Sequence, residues 1–151
     1  MAKQTHVTPR SLQVLRACGY HCQVVERIIP GMFIKKDLFG LIDVMAVKAD
    51  EPGVLGIQVT TRSNVSSHFH KALDLPALKV WLAAGNRLVI HAWGRVKERL
   101  KDGSWSKVGR WKLVERPVTL EILDAMAKAS MAQEALESSG APQGAPVAPP
   151  A

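Results

Sequence analysis

Two stretches of this chain put polar side chains where apolar ones belong. Leu41 to Lys48 and Val54 to Thr61 each read as a run of apolar and β-branched residues. Both runs are too apolar for half-exposed strands and are expected to be covered on both faces. The first carries Asp43, and the second carries Gln58 and Thr60. A carboxylate in a buried strand is costly unless it is paired or holds a cation, so Asp43 is the first candidate ligand. Gln58 and Thr60 are two apart and project from one face of a strand, with Leu55, Ile57, Val59 and Thr61 on the other. Asp37 lies six residues before Asp43. In a regular strand the two would share a face, but Gly40 between them signals a bulge or a close backbone approach that breaks the parity. Asp37 is therefore either an accessory cation ligand or a residue that only ends a loop.

The order Asp43, fifteen residues, then Gln58-Val59-Thr60 resembles the PD-(D/E)XK nuclease superfamily. There an Asp at the second core strand is followed, on the third, by Glu, Asp or Gln and then a Lys two residues on. The likeness covers the chain from about Thr8 to Trp93. It implies an α/β fold with an αβββαβ core, a small mixed central sheet of about four to five strands flanked by helices. It also implies a metal-dependent DNA endonuclease, of the kind used in phage or bacterial repair or restriction. Asp43, Gln58 and Thr60 stand at the three motif positions, Thr60 in place of the family's Lys. In some members that Lys has moved to the next helix, where Lys71 stands here. The resemblance makes Asp43 and Gln58 the ligands of Mg²⁺ (or Mn²⁺), with Asp37 as the accessory candidate. The Val59 carbonyl and waters would complete the six oxygens that Mg²⁺ prefers. Lys71 would then balance developing negative charge. The family often has a carboxylate in its first helix. The first helix here has none; Gln13 is its nearest polar equivalent, and Glu26 is either a substitute or a surface ion-pair partner.

The elements that must position these residues follow from periodicity. Leu12, Leu15 and Cys18 predict a helix over 8–19, with Thr8 as cap and Pro9 in its first turn. Strands are expected near 22–29, 41–48, 54–61 and 87–93, with Ala49 to Gly53 as the turn between the middle two. Val65, Phe69 and Leu73 mark an apolar stripe on a helix from Asn64, and Pro76 opens a second helix that Gly85 stops. His68 and His70, two apart, diverge on a helix and cannot share one metal; they read as phosphate-contacting or solvent-facing. Lys35 and Lys36, beside Asp37, are candidate phosphate contacts, and so is His70. Arg95, Lys97, Lys107, Arg110 and Lys112 lie on a basic hairpin turned at Lys101 to Ser104, interleaved with Trp93, Trp105 and Trp111. Cations there could neutralise phosphate and indoles could stack on bases. The alternative is an edge hairpin whose lysines guard it and whose Trp residues pack down. A last helix is expected from Leu120 to about Leu136, and a Pro-, Gly- and Ala-rich disordered tail over 137–151. Residues 1–136 thus form one expected domain.

The chain has 151 residues and a formal net charge of +7, which favours a polyanionic partner but says nothing of fold. No apolar run reaches the length of a membrane span, and the N-terminus lacks the apolar core of a signal peptide. Cys18 and Cys22, with His21, offer too few ligands for zinc and read as reduced thiols. A cytoplasmic DNA-binding enzyme with no membrane partner is expected, and a homodimer would suit paired cuts on two strands. Two other classes remain open: a nuclease-like fold that binds nucleic acid without cutting it, and an α/β scaffold unrelated to nucleic acid.

Overall fold

The computed structural model describes residues 6–140. Eleven principal elements follow in chain order: α1 (Val7–Ala17), β1 (His21–Val24), β2 (Arg27–Ile29), β3 (Ile34–Lys36), β4 (Val44–Lys48), β5 (Glu51–Thr61), α2 (Val65–Leu73), α3 (Pro76–Ala83), β6 (Arg87–Val96), β7 (Arg110–Val118) and α4 (Leu120–Ser139). A single 3-10 turn, Arg62–Asn64, leads into α2. The protein is α/β. Its five-stranded sheet has the order β1-β4-β5-β6-β7, mixed because β5 and β6 run parallel while the other neighbours are antiparallel.

Side-chain alternation builds two cores from one sheet. Leu55, Ile57 and Val59 of β5, with Val89 and Trp93 of β6, pack against Val7 and Leu15 of α1. Leu88 and Ile90 face the other way, toward Ala72 of α2, Leu78 of α3 and Leu123 of α4. The β5–β6 crossover carries α2 and α3, as a parallel pair requires. Both central strands are covered on both faces, which is why they read as continuous apolar runs. Ile90 is fully buried. Ile90→Ala is expected to cost about 2–5 kcal/mol, read as a lower urea midpoint with unchanged slope.

Several boundaries differ from expectation, each for a local reason. The helix expected over 8–19 starts one residue earlier, with His6 rather than Thr8 at the N-cap. Thr8 and Pro9 fall in its first turn, where Pro's missing N–H is not needed. The single strand expected over 22–29 is split at Val25-Glu26: β1 joins the large sheet, and β2 pairs with β3 in a two-stranded sheet of its own. The strand expected over 41–48 begins only at Val44. The turn before β5 is Ala49-Asp50, and Pro52 and Gly53 lie inside the strand. β5 meets β6 only from Leu55 onward, so one edge of its first turnless stretch has no ladder for Pro52 to interrupt. Gly53 has φ +75°, and a Cβ there would collide with the Gly85 carbonyl oxygen. Gly53→Ala should therefore destabilise the fold by at least about 2 kcal/mol; a melting temperature within a degree of wild type would refute that packing.

The last helix runs three residues beyond Leu136, to Ser139, capped by Thr119, whose hydroxyl accepts from the Ile122 N–H. Gly140 follows as the C-cap, and the rest of the expected tail, 141–151, lies outside the described residues. Among the described residues, no helix is long and apolar enough to cross a membrane.

Candidate metal centre

The site is built around Asp43, which sits just before β4. Its backbone is a junction. The Asp43 N–H donates to the Ile57 carbonyl of β5, and the Asp43 carbonyl accepts from Val25 and Glu26. That ties the break between β1 and β2 to the middle of the sheet and holds Glu26 beside Asp43. Asp37 arrives by a different route. Phe39 (φ +53°) and Gly40 (φ +81°) reverse the chain between the two aspartates. Gly40 donates to the Asp37 carbonyl and lies against Leu75. The parity break signalled by Gly40 is thus a tight loop, and it brings the two carboxylates together.

Carboxylate oxygens of Glu26, Asp37 and Asp43 all lie within 4.8 Å of one another. Asp43 is only 6% exposed. Its Oδ2 accepts from the Val59 N–H at 2.8 Å and from Gln58 Nε2 at 2.7 Å. Gln58 is 4% exposed, and its Oε1 is buried without a hydrogen-bond partner. Burial pushes the Asp43 carboxyl up to about 7; the Val59 N–H opposes that shift, and the charges of Asp37 and Glu26 add to it. A neutral Asp43 below that value is a poor cation ligand. Metal affinity should therefore rise from pH 5 to pH 8, with proton release on binding; calorimetry in two buffers of different ionisation enthalpy reads both.

The facing helix adds a base and a cation. Val65, Phe69 and Leu73 pack inward as the stripe predicts. That turns Lys71 toward the carboxylates, its Nζ 3.9 Å from Asp37 Oδ2 with half the side chain exposed. His68 is placed otherwise than expected. It is half-buried, with Nε2 3.1 Å from Thr60 Oγ1 and its Nδ1 buried and unpartnered. Burial, then the charge of Lys71, hold its pKa below the usual imidazole value, against a smaller opposite effect of Asp37. That favours the neutral imidazole. The i, i+3 spacing of His68 and Lys71 is the signal that would have placed both on one face. His70 stays exposed and bonds the Ser66 carbonyl one turn back.

Asp43, Asp37, Gln58, Thr60 and Lys71 are thus brought together, with Glu26 and His68 added. Glu26 makes the surface ion pair expected of one reading, with Lys35 at 3.3 Å, and its carboxylate also stands in the acidic cluster with Asp37 and Asp43. Gln13 is exposed on α1. The group lies toward the carboxyl end of β5, the side of parallel strands where open α/β sheets bind ligands.

The basic hairpin is only partly what its composition suggested. Trp93 is a core residue whose indole donates to Ser11 Oγ, an acceptor that His91 Nδ1 also meets. Trp111 is half-buried, with the guanidiniums of Arg10 and Arg95 both over its ring. Trp105 is exposed, with Arg99 over its ring. Arg110 and Lys112 both pair with Glu98. Lys97 and Lys107 are exposed and make no ion pair among the described residues. Lys36 is exposed on β3. The chain matches no family model, no curated protein and no solved structure.

Proposed function

We propose that this chain is a metal-dependent phosphodiesterase that cuts DNA, with its centre at Asp43. The observation that carries this reading is the cluster of three carboxylates beside Gln58, whose amide N–H meets the buried Asp43 and whose Oε1 is buried without a partner. Acidic clusters on surfaces are common, but here Asp43 is taken out of water and like charges are held together at a cost. An oxygen-rich donor set of this kind fits Mg²⁺ or Mn²⁺. Asp43, Asp37 and Glu26 would hold the ion, and Gln58 could offer Oε1 by turning its amide. When bound, such an ion supplies a Lewis acid that polarises the phosphate and acidifies a water.

The rest falls to the chain's own side chains. Lys71 brings positive charge to the edge of the centre, where phosphate would approach and where negative charge builds in the transition state. His68 holds the Thr60 hydroxyl, fixing that side chain on the strand face it shares with Gln58. Cys18 and Cys22 are free thiols, which suits the cytoplasm. Cleavage of linear, branched and plasmid DNA with Mg²⁺, Mn²⁺ or EDTA tests the reading; cation-dependent strand breaks are the expected result. One observation favours a second reading, a protein that binds DNA without cutting. Gln58 turns its N–H toward Asp43, and Thr60 stands where a Lys is expected. Salt-dependent binding with no breaks under any cation would select it.

The basic hairpin supplies the longer-range attraction. Lys97→Ala and Lys107→Ala should weaken binding to all sequences alike and reduce the salt slope by about one unit per lost phosphate contact. Lys112→Ala should do less, because Glu98 already neutralises Lys112. An unchanged slope in all three would assign these cations to solubility.

A further inference from the structure

The acidic cluster and an apolar projection share their roots. Glu26 immediately precedes β2, and Asp37 immediately follows β3. Between them the chain runs out and back as a hairpin that pairs with no other strand among the described residues. A lone two-stranded hairpin is marginal in water, and this one has little to hold it. Ile28, Met32 and Ile34 are at least half exposed, and Phe33 at its tip is 94% exposed. Phe33 is also held at φ +50°, a conformation that disfavours a bulky L residue. Arg27 and Lys36 stand directly opposite each other across the pair. Like charges in that position repel, and among the described residues Lys35 beside them is the only one of the three with an acidic partner, Glu26.

We infer that this hairpin is a wedge for nucleic acid, with Phe33 stacking on an unpaired base while Arg27 and Lys36 take flanking phosphates. The inference rests on the phosphodiesterase reading and narrows its substrate to DNA with unstacked bases near the cut, such as bulges, flaps or junctions. A polyanion relieves the Arg27–Lys36 repulsion, whereas the same hairpin of a second copy would add to it. The reach is adequate: about five residues of extended chain span roughly 15 Å, against a major groove about 8.5 Å deep. Selectivity follows because an aromatic wedge must separate stacked bases in an intact duplex, and need not at an unpaired one.

The test reads binding in EDTA, so that no metal chemistry enters. DNA carrying 2-aminopurine in a three-nucleotide bulge is compared with the fully paired duplex. Phe33→Ala should weaken binding to the bulged DNA by about 5- to 100-fold and remove the change in 2-aminopurine emission. Its affinity for paired duplex should stay within about twofold, with the same salt slope. Phe33→Trp should restore selective binding, its indole emission changing with the DNA. Equal weakening on both DNAs, or none on the bulged one, would overturn the wedge. So would a wild-type dimer that Phe33→Ala converts to monomer with DNA affinity unchanged, since the hairpin would then serve a second copy. Cleavage of the same DNAs in Mg²⁺ is scored separately. Wild-type cleavage with no Phe33 effect on binding sinks the wedge alone. Selective binding without cleavage sinks the phosphodiesterase and leaves the wedge standing.

Discussion

Asp43→Asn is expected to abolish Mg²⁺-dependent cleavage and, in metal-free buffer at pH 8, to make the protein more stable. The two effects have one cause. Asp43 is buried beside Asp37 and Glu26, and its folded-state pKa is about 7 against an ordinary 3.8. The folded state therefore holds a proton that the unfolded state has already lost between those values. Stability falls as pH rises through that window and levels off above it. A shift of this size corresponds to a few kcal/mol, about 4 at most. Asparagine keeps an oxygen for the Val59 N–H and removes the charge. Its added stability should appear at pH 8 and vanish near pH 4. A divalent cation should stabilise wild type and leave the variant's melting temperature unmoved. DNA affinity should hold or rise slightly, because a charge that repels phosphate is gone. A variant that cleaves normally would exclude Asp43 from the chemistry, and Asp37 would be the next carboxylate to replace.

Gln58→Glu should act in the opposite direction. The wild-type amide donates to Asp43 Oδ2 at 2.7 Å. A carboxylate there loses that bond and adds a fourth carboxylate to the cluster of Glu26, Asp37 and Asp43. In EDTA at pH 8 the variant should melt several degrees below wild type, roughly what 1–3 kcal/mol implies in a chain of this size. With Mn²⁺ the order should reverse, because the extra charge now ligates. Mn²⁺ affinity should rise by at least about tenfold, and cleavage should persist at lower metal concentration. A variant destabilised equally with and without Mn²⁺ would mean that Gln58 only braces Asp43. Lys71→Ala should slow cleavage with Mn²⁺ affinity little changed, because its place is beside Asp37 on the solvent side. A weakened metal affinity would instead make Lys71 a brace for the cluster.

Most of the fold was legible because its signals are local. Continuous apolar and β-branched runs marked β4 and β5, the run at 87–93 marked β6, and the Val65-Phe69-Leu73 stripe marked α2. The misfit of Asp43 and Gln58 in apolar runs pointed to the pair that the fold buries together. What stayed hidden depends on partners distant in sequence. Nothing in the run from His21 to Ile29 shows that it breaks at Glu26, because the break is made by the Asp43 carbonyl and by the pairing of β2 with β3. Trp93 shares a strand face with Val89 and His91, but only the docking of α1, through Val7, Ser11 and Leu15, makes that face a core rather than a surface. His68 was misplaced because its spacing was compared with His70, two residues away, instead of with Lys71. Thr60, which lacks the charge of a Lys, gives no hint in sequence that its partner is an imidazole.

Crystals soaked in Mn²⁺ provide the most direct test of the centre. An anomalous difference map should show a peak coordinated by Asp43 together with Asp37 or Glu26, with the Gln58 amide turned so that Oε1 faces the ion. The same peak should be missing from Asp43→Asn crystals soaked alike. A map with no peak between these carboxylates, Lys35 still on Glu26 and Gln58 Nε2 still on Asp43, would contradict the account.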